Sequence, residues 1–389
     1  MRRMIELDGL RGLACLSVLV AHYFGEVAHG WNFLALGWAG VDLFFCLSGF
    51  LIGGILLDNR SSPSYFSSFY IRRGFRIFPI YYMTISLVLV AMLWQRARHP
   101  GWIDPALPAA AYYTYSQNLL FAALGDQSTA WLLPTWTLCV EEQFYLLLPL
   151  ILYLVPRGKL LGALLLLIAS ATVWRLVLFA CGANDMALRV LLPSRWDLLF
   201  LGVLAACLCR DRRLWNKLVA GNRRFLKWGV VLGAAATVVV VLADRWFGSR
   251  GFDLVGPLFV GICCVSFLLL TVSGAAEGAR FRSKALCRLG TISYGLYLVH
   301  QPVAGLLHGF VLGGRPDVAN PAQILVTLVA LALSVAFAAL SWRFLERPLI
   351  EFGHRWRYER ERLPAARAMP RDHFASSWPS SPRDLSRAA

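Results

Sequence analysis

An arginine and a histidine share one apolar stretch near the start of the chain. The segment LDGLRGLACLSVLVAHYFGEV, residues 7–27, places Arg11 eleven positions before His22. At about 100° and 1.5 Å per residue, both side chains lie near one helix face, roughly 16 Å apart along the axis. In a purely structural alternative, Arg11 anchors a membrane helix at the headgroups and His22 is a satisfied interior residue. Because ionisable residues inside membranes are costly and usually functional, we favour chemistry at His22.

Two adjacent carboxylates and a second histidine are expected at a similar depth. Glu141 and Glu142 lie nine or ten residues from the outer end of the apolar run around PTWTLCVEEQFYLLLPL, roughly 14 Å deep. Adjacent helical residues point about 100° apart, so only one of them can face the cavity of His22. A structural ion pair with a basic residue is the alternative. His300, in ISYGLYLVHQPV, is either catalytic or bound to a carbonyl.

An arginine cluster is expected at the cytoplasmic mouth of such a site. In FYIRRGFRIFPIYY, Arg73 and Arg76 are three residues apart and share a face if the segment is helical, with Pro79 close by to bend the chain. Guanidinium forks suit phosphates and diphosphates. The alternative is that these arginines only mark the cytoplasmic side of a span.

The run GVDLFFCLSGFLIGGILL carries Asp42 near the outer end of its span. Its small residues, such as Gly49, allow close helix approach, and packing explains them adequately. Asp42 is a candidate for the outer mouth of the site. Further candidate supporting residues are His300, Ser48, Trp136 and Tyr145.

The composition is that of a polytopic membrane protein. The 389 residues are 58% hydrophobic and 15% charged, with a formal net charge of +16. The basic residues fall in short clusters between apolar runs of about 20 residues, which is the positive-inside pattern rather than a nucleic-acid surface. The nine cysteines show neither metal-ligand spacing nor a disulfide framework. We therefore predict an all-α bundle with no metal site and no nucleic-acid partner.

The apolar runs predict ten membrane spans, near residues 10–28, 38–57, 78–94, 132–155, 160–181, 196–209, 228–244, 252–273, 291–311 and 321–343. Residues 110–126 are apolar enough for an eleventh, but counting them would place the later basic loops outside. We interpret them as re-entrant or interfacial. Both termini are then cytoplasmic, and no cleavable signal peptide is expected. A membrane domain over 1–350 precedes a basic, largely disordered cytoplasmic tail over 351–389.

In this order, six stretches resemble the acyltransferase-3 family of integral-membrane O-acyltransferases, which modify sugars, peptidoglycan, lipopolysaccharide, glucans or natural products. They are LDGLRGLACLSVLVAH, GVDLFFCLSGFLIG, RRGFRIFPIYY, PTWTLCVEEQFYLLLPL, ISYGLYLVHQP and RFLERPLI. The resemblance implies that Arg11 and His22 are a signature pair, that Arg73 and Arg76 form an arginine motif, and that Glu141 is the more important acid. Some relatives carry an additional extracytoplasmic esterase-like domain. Without such a domain, this chain is expected to act alone or to pass its acyl group to a separate partner.

The sequence thus predicts transfer of an acyl group, with acetyl expected, from cytoplasmic acyl-CoA to a hydroxyl of a carbohydrate or glycoconjugate at the bacterial inner membrane. The donor is expected on Arg73, Arg76 and Arg11. His22 acts as base or acyl carrier, and Glu141 orients its ring. The alternatives are a non-catalytic transporter or binding protein for an acyl carrier or metabolite, and acylation of a small natural product on the cytoplasmic side. The oligomeric state does not follow from these patterns.

Overall fold

The computed structural model describes residues 4–98, 107–125, 131–220, 223–247, 250–274 and 276–359. Within these ranges the chain is helical and contains no strand. The helices are α1 (Ile5–Val20), α2 (Ala39–Asp58), α3 (Tyr65–Arg98), α4 (Ala109–Tyr113), α5 (Gln117–Leu124), α6 (Trp136–Leu154), α7 (Arg157–Ala180), α8 (Asp185–Val190), α9 (Leu192–Leu208), α10 (Arg212–Leu214), α11 (Arg223–Phe247), α12 (Gly251–Val272), α13 (Ala276–Ala279), α14 (Lys284–Leu312), α15 (Pro321–Ser341) and α16 (Arg347–Gly353).

Ten helical segments of the described chain are long and apolar enough to cross a bilayer. They are Ile5–Gly25, Asn32–Asp58, Tyr65–Trp94, Leu133–Leu154, Arg157–Ala180, Asp185–Leu208, Arg223–Trp246, Gly251–Val272, Lys284–Leu312 and Pro321–Gly353. The predicted all-α bundle with ten spans is therefore confirmed.

Two of the predicted spans began more than ten residues too late. Helix α3 starts at Tyr65 rather than near residue 78 and continues through Pro79. Charged residues lower the local hydropathy and hide the first turns of a helix, and neighbouring helices let membrane helices tolerate proline. The span predicted from 196 likewise starts at Asp185, because α8 precedes α9 directly.

Residues 110–126 do not form a spanning helix. Helices α4 and α5 have five and eight residues, far short of the roughly 20 that a bilayer requires. Gln117 and Asn118 are fully buried. The Gln117 amide donates to the Tyr81 hydroxyl at 3.1 Å, and the Asn118 amide donates to the Val190 carbonyl at 3.1 Å. This agrees with the predicted non-crossing segment, whose buried amides donate hydrogen bonds inside the protein.

The last described helix, α16, ends at Gly353, and the description reaches residue 359. The rest of the predicted tail lies outside the described residues, so its disorder stays a prediction.

Polar contacts distinguish the two ends of the bundle. At one, the basic end, Arg282 pairs with Glu6 at 2.6 Å and Arg210 with Asp58 at 2.7 Å. At the opposite, outer end, His29 pairs with Asp317 at 2.7 Å and Arg189 with Asp253 at 2.8 Å. The start of α1, the end of α2 and the loops after α9 and α13 therefore share one end, as the predicted topology requires. The cytoplasmic placement of the basic end stays a prediction.

Glycines bring the site helices into close contact. A Cβ added at Gly290 would clash with the Asp8 carbonyl, so α14 lies directly against the backbone of α1. A Cβ at Gly49 would clash in the same way with the Leu199 carbonyl, which brings α2 onto α9. Small residues have this role in membrane bundles. The first of these contacts lets a histidine at the end of α1 meet one on α14.

Candidate active site

A cavity of about 300 Å³ lies among α1, α2, α3, α6 and α14. Asp8 and Arg11, in the first two turns of α1, place it toward the basic end. Much of its remaining wall is apolar and comes from α2. The predicted site residues that line it are Arg11, Ser48, Arg73, Arg76, Glu141, Glu142 and Tyr145. The fold thus gathers residues from four helices into one chamber.

The charged groups of the cavity form a mixed cluster. Glu141 interacts electrostatically with Arg11, Arg73 and Arg76, whereas Glu142 interacts with Glu141 and Arg73. Arg11 Nη2 donates to the Ser293 hydroxyl at 3.4 Å. The arginines and carboxylates are therefore close enough to influence one another electrostatically around the chamber.

A hydrogen bond and a cation–π contact order the α6 wall of the cavity. The hydroxyls of Ser48 and Tyr145 are 2.5 Å apart. The guanidinium of Arg73 lies 5.6 Å from the centre of the Tyr145 ring. Tyr145 thus contacts both α2 and the arginine cluster.

Two of the arginines retain free hydrogen-bond donors. Among the described residues, neither Arg73 nor Arg76 donates a hydrogen bond to the protein or forms an ion pair within 4 Å. Both line the cavity, so their donors fit the oxygens of a ligand phosphate. The positive field extends past α16, where burial and the charges of the α3 arginines lower the pKa of His354.

Within the described residues, no group of three histidine, cysteine, aspartate or glutamate side chains could hold a metal ion.

His22 and His300 form a pair just beyond the cavity. His22 lies in a π-helical turn, Ala21–Gly25, that follows α1 directly. Such turns are rare and occur often at functional sites. The Nδ1 atom of His22 is 2.7 Å from Nε2 of His300, and the rings are nearly parallel. His300 is fully buried, and its Nδ1 lies 2.7 Å from the Tyr297 carbonyl oxygen.

The hydrogen-bond network assigns the protons of this pair. A carbonyl oxygen only accepts, so His300 carries its proton on Nδ1 and its Nε2 accepts. His22 must then donate from Nδ1 to His300. Neutral His22 is consequently unprotonated at Nε2, which is the nitrogen left free to take a proton. The geometry therefore provides a base whose tautomer is fixed by its neighbour.

Tyr297 lies next to both the histidine pair and the cavity. It lines the cavity, and its ring centre is 5.6 Å from that of His300. Its hydroxyl hydrogen-bonds Thr137 at 2.9 Å and Pro134 at 3.0 Å. Neither histidine lines the cavity. The pair therefore lies next to the cavity and not in its wall.

The expected contact between His22 and Glu141 does not occur. The described partners of His22 are His300 and, at 3.5 Å, Glu26, whereas Glu141 lies with the arginines of the cavity. The expected match in depth did not bring the two side chains together, because Glu141 lines the cavity and His22 pairs with His300 outside its lining. The residue that hydrogen-bonds the His22 ring is therefore His300 and not Glu141.

Asp42 and Trp136 also lie outside the cavity. Asp42 is 2% exposed and 3.3 Å from Arg195, so it does not form an open outer mouth. Trp136 stacks on the same arginine, with the guanidinium 5.7 Å from a ring centre. Both candidates belong to a buried charge network in the outer half of the bundle.

Comparison with known sequences identifies the family. The sequence model described as an acyltransferase domain matches residues 4–343. The chain belongs to the acyltransferase-3 family. It is therefore an integral, multi-pass membrane protein of that family.

Several curated relatives of this family member carry names that state an activity. The chain is 30% identical over 377 residues to the peptidoglycan O-acetyltransferase OatA of Listeria monocytogenes. It is 29% identical over 374 residues to a Bacillus subtilis protein provisionally named a peptidoglycan O-acetyltransferase, and 26% identical over 373 residues to a Staphylococcus aureus protein provisionally named an O-acetyltransferase. The three alignments cover 90%, 90% and 91% of the chain but only 56%, 55% and 58% of those relatives. No solved structure matches the chain significantly.

One carboxylate near the cavity arginines was not among the predicted site residues. Glu346 belongs to the closing RFLERPLI stretch, lies in a π-helical turn and is 3% exposed. Its Oε1 accepts from the Ser341 hydroxyl at 3.1 Å, and it interacts electrostatically with Arg76 and Arg11. The available sequence signal was a single acidic residue at the end of an apolar run. It was missed because Glu346 has basic neighbours, as is common where a membrane helix ends.

A second missed feature is the ion pair of Arg175 and Asp197. Their atoms are 2.8 Å apart and both side chains are fully buried. Arg175 also donates to the carbonyls of Leu254 and Ser194 at 2.7 and 2.6 Å. Isolated charges inside the apolar runs of α7 and α9 were the signal. The pair connects helices that support the cavity wall.

Proposed function

We propose that this family member transfers an acetyl group from acetyl-CoA to a hydroxyl of a carbohydrate or glycoconjugate at the bacterial inner membrane. The observation that carries the proposal is the adjacency of two features, a cavity with free arginine donors and a histidine whose Nε2 is free to accept a proton. Family membership supports acyl transfer, and the names of the relatives support acetyl and a glycan acceptor.

Arg73 and Arg76 are the residues that would hold the donor phosphates, with Arg11 beside them. The thioester of the donor would supply an activated acyl carbon. The mainly apolar α2 wall suits an extended, uncharged arm better than a charged one. We place the donor at the basic end, which the charge distribution predicts to be cytoplasmic.

His22 performs the proton transfer in this proposal. Its Nε2 takes the proton of the acceptor hydroxyl while that oxygen bonds to the acyl carbon, the carbon–sulfur bond breaks, and the proton leaves with the thiol. His300 stabilises the resulting imidazolium, because the hydrogen bond that it accepts from Nδ1 becomes charge-assisted. Alternatively, Nε2 attacks the acyl carbon first, and the carbon–sulfur bond breaks to release the CoA thiolate. The acceptor oxygen then bonds to the acyl carbon, the bond to Nε2 breaks, and the thiolate takes the acceptor proton.

The test of the function uses purified protein in nanodiscs, [¹⁴C]acetyl-CoA and an oligosaccharide acceptor. Label in the recovered glycan is the expected result, and a transporter or binding protein cannot produce it. A protein that binds CoA but leaves all label as acetyl-CoA or acetate contradicts the proposal. Label retained on the protein without acceptor indicates the acyl-histidine route, whereas transfer without retained label indicates a general base.

Removing either cavity arginine is expected to weaken donor binding. Arg73→Ala and Arg76→Ala each lose charge-assisted hydrogen bonds, so the KM for acetyl-CoA rises about tenfold to a hundredfold. Lysine replacements restore little, because an ammonium cannot form the planar fork. The measurement is initial-rate kinetics at varied acetyl-CoA.

The matched control is Arg72→Ala. Arg72 belongs to the same helix but stacks on Tyr358 and does not line the cavity. The Arg72→Ala variant removes the same charge from the membrane boundary. Its KM for acetyl-CoA is expected to stay within about twofold of wild type. An equal rise in all three variants would mean that the arginines act only through topology or general charge.

His300 is expected to act as a positioning residue. His300→Ala removes the acceptor that fixes the His22 tautomer, so kcat falls roughly tenfold to a hundredfold, less than the 10² to 10⁴ that a general base supplies. His300→Gln offers an amide oxygen to His22 Nδ1 and should recover part of the loss. His308→Ala serves as control, since this buried histidine of α14 bonds Thr327 instead. No recovery with glutamine, or an equal loss in the control, contradicts the assignment.

A further inference from the structure

A half-exposed carboxylate lies beside His22 on the side away from the cavity. Glu26 directly follows the π-helical turn, and its Oε2 is 3.5 Å from Nε2 of His22. The side chain of Glu26 is 43% exposed, whereas that of His22 is 13% exposed. Glu26 stands at the outer end of α1, and Arg11 and the cavity lie toward the basic end. Glu26 is thus the more exposed of the two side chains and lies on the outer side of His22.

The two facing atoms are both hydrogen-bond acceptors. The network described above leaves neutral His22 unprotonated at Nε2, and an ionised carboxylate has no proton to donate. At 3.5 Å the pair is longer than a good hydrogen bond. No lysine or arginine of the described chain pairs with Glu26, and no group there donates a hydrogen bond to its side chain. Two adjacent acceptors without a donor are complementary to a ligand that brings two donors.

The segment that carries Glu26 is held in place. The Trp31 amide donates to the Phe24 carbonyl at 2.7 Å, which folds residues 25–30 back over the π-helical turn. His29 donates its backbone amide to Asp317 at 3.0 Å, which ties the segment to the loop before α15. The geometry of Glu26 relative to His22 is therefore set by the fold and not by a free loop.

We propose that Glu26 is an acceptor-binding residue that selects polyhydroxylated molecules, such as the sugar units of a glycan, entering from the outer end. One hydroxyl of the acceptor donates to Nε2 of His22 and is the one that is acylated. A neighbouring hydroxyl of the same unit donates to the Glu26 carboxylate and fixes the orientation. The inference rests on the acyl transfer proposed above and adds the residue that binds the acceptor and the side from which the acceptor enters.

Two simpler roles make different predictions. A carboxylate that is only solvated at the membrane surface has no effect on ligand binding. A carboxylate that only pairs with protonated His22 changes every reaction of His22, including donor hydrolysis without acceptor. An acceptor-binding carboxylate changes acceptor affinity and leaves donor hydrolysis unchanged.

The experiment measures binding of N,N′,N″,N‴-tetraacetylchitotetraose to the full-length protein in nanodiscs by titration calorimetry. Glu26→Ala is expected to raise the Kd about tenfold or more, because a charge-assisted hydrogen bond is lost. Glu26→Gln, which keeps the size and an acceptor oxygen, should raise it less. The control is Glu351→Ala, which removes a 64% exposed carboxylate at the basic end. Half-exposed Glu26 tolerates both changes, and size-exclusion profiles check folding.

Equal affinity of wild type, Glu26→Ala and Glu351→Ala overturns the proposal, and so does a wild-type protein that does not bind the oligosaccharide. Acetyl-CoA hydrolysis without acceptor is measured in parallel. A decrease in Glu26→Ala as large as the decrease in transfer also overturns it, because Glu26 would then act on His22 itself. If the oligosaccharide binds in a Glu26-dependent way but never receives label, the acyl transfer proposal fails while the binding site stands.

Discussion

Replacing His22 by alanine is expected to abolish acetyl transfer while a folded protein remains in the membrane. The substitution removes the only nitrogen of the histidine pair that is free to accept the acceptor proton, since His300 donates from Nδ1 to the Tyr297 carbonyl. A general base contributes about 10² to 10⁴ in rate, and an acyl carrier contributes the whole turnover. Product formation from labelled acetyl-CoA gives the size of the loss.

The His22 experiment separates chemistry from structure through three comparisons. His22→Gln retains a polar side chain near His300 but has no basic nitrogen, so it should be as inactive as His22→Ala. The His308→Ala control removes a buried histidine elsewhere on α14 and should keep most of the activity. Donor binding should survive in both His22 variants, because the arginines lie in the adjacent cavity. Wild-type turnover in His22→Ala would rule out the mechanism.

The bundle was predictable because its determinants are local. Runs of about 20 apolar residues and the placement of basic loops specify spans and topology without knowledge of packing. The limits of α3 were missed because Arg72, Arg73 and Arg76 fall in its first turns, where hydropathy favours a loop. The helix forms there because its arginines either line the charged part of the cavity or extend to the membrane boundary. A hydropathy profile detects neither arrangement.

The residues of the cavity were predictable, but their partners were not. The family motifs selected Arg11, Arg73 and Glu141 as candidate site residues, and the fold brings all three to one chamber. Depth does not define the rotation of a helix about its axis, so it could not show that His22 faces His300 and not Glu141. That rotation depends on contacts such as Gly290 against the Asp8 backbone, which involve residues nearly 300 positions apart.

Breaking the buried Arg175 ion pair is expected to give the largest loss of stability in the protein. Arg175→Leu would leave Asp197 fully buried without its cation and would leave the Leu254 and Ser194 carbonyls without their donor. Removal of one partner from a buried pair costs about 3 to 5 kcal/mol, because an isolated charge remains in a low-dielectric interior. Thermal unfolding of the protein in nanodiscs, together with yield in the membrane fraction, measures the effect.

The double variant Arg175→Leu/Asp197→Leu shows why the pair matters. Replacing both charges by apolar groups of similar size is often neutral, so the double variant should regain much of the stability, limited by the two orphaned carbonyls. Arg347→Leu is the control, since its pair with Glu351 is exposed to solvent and is expected to contribute little to stability. A single variant as stable as this control, or a double variant no better than the single, contradicts the prediction. Because α9 packs against the α2 wall of the cavity, donor binding should fall in the single variant and return with stability in the double.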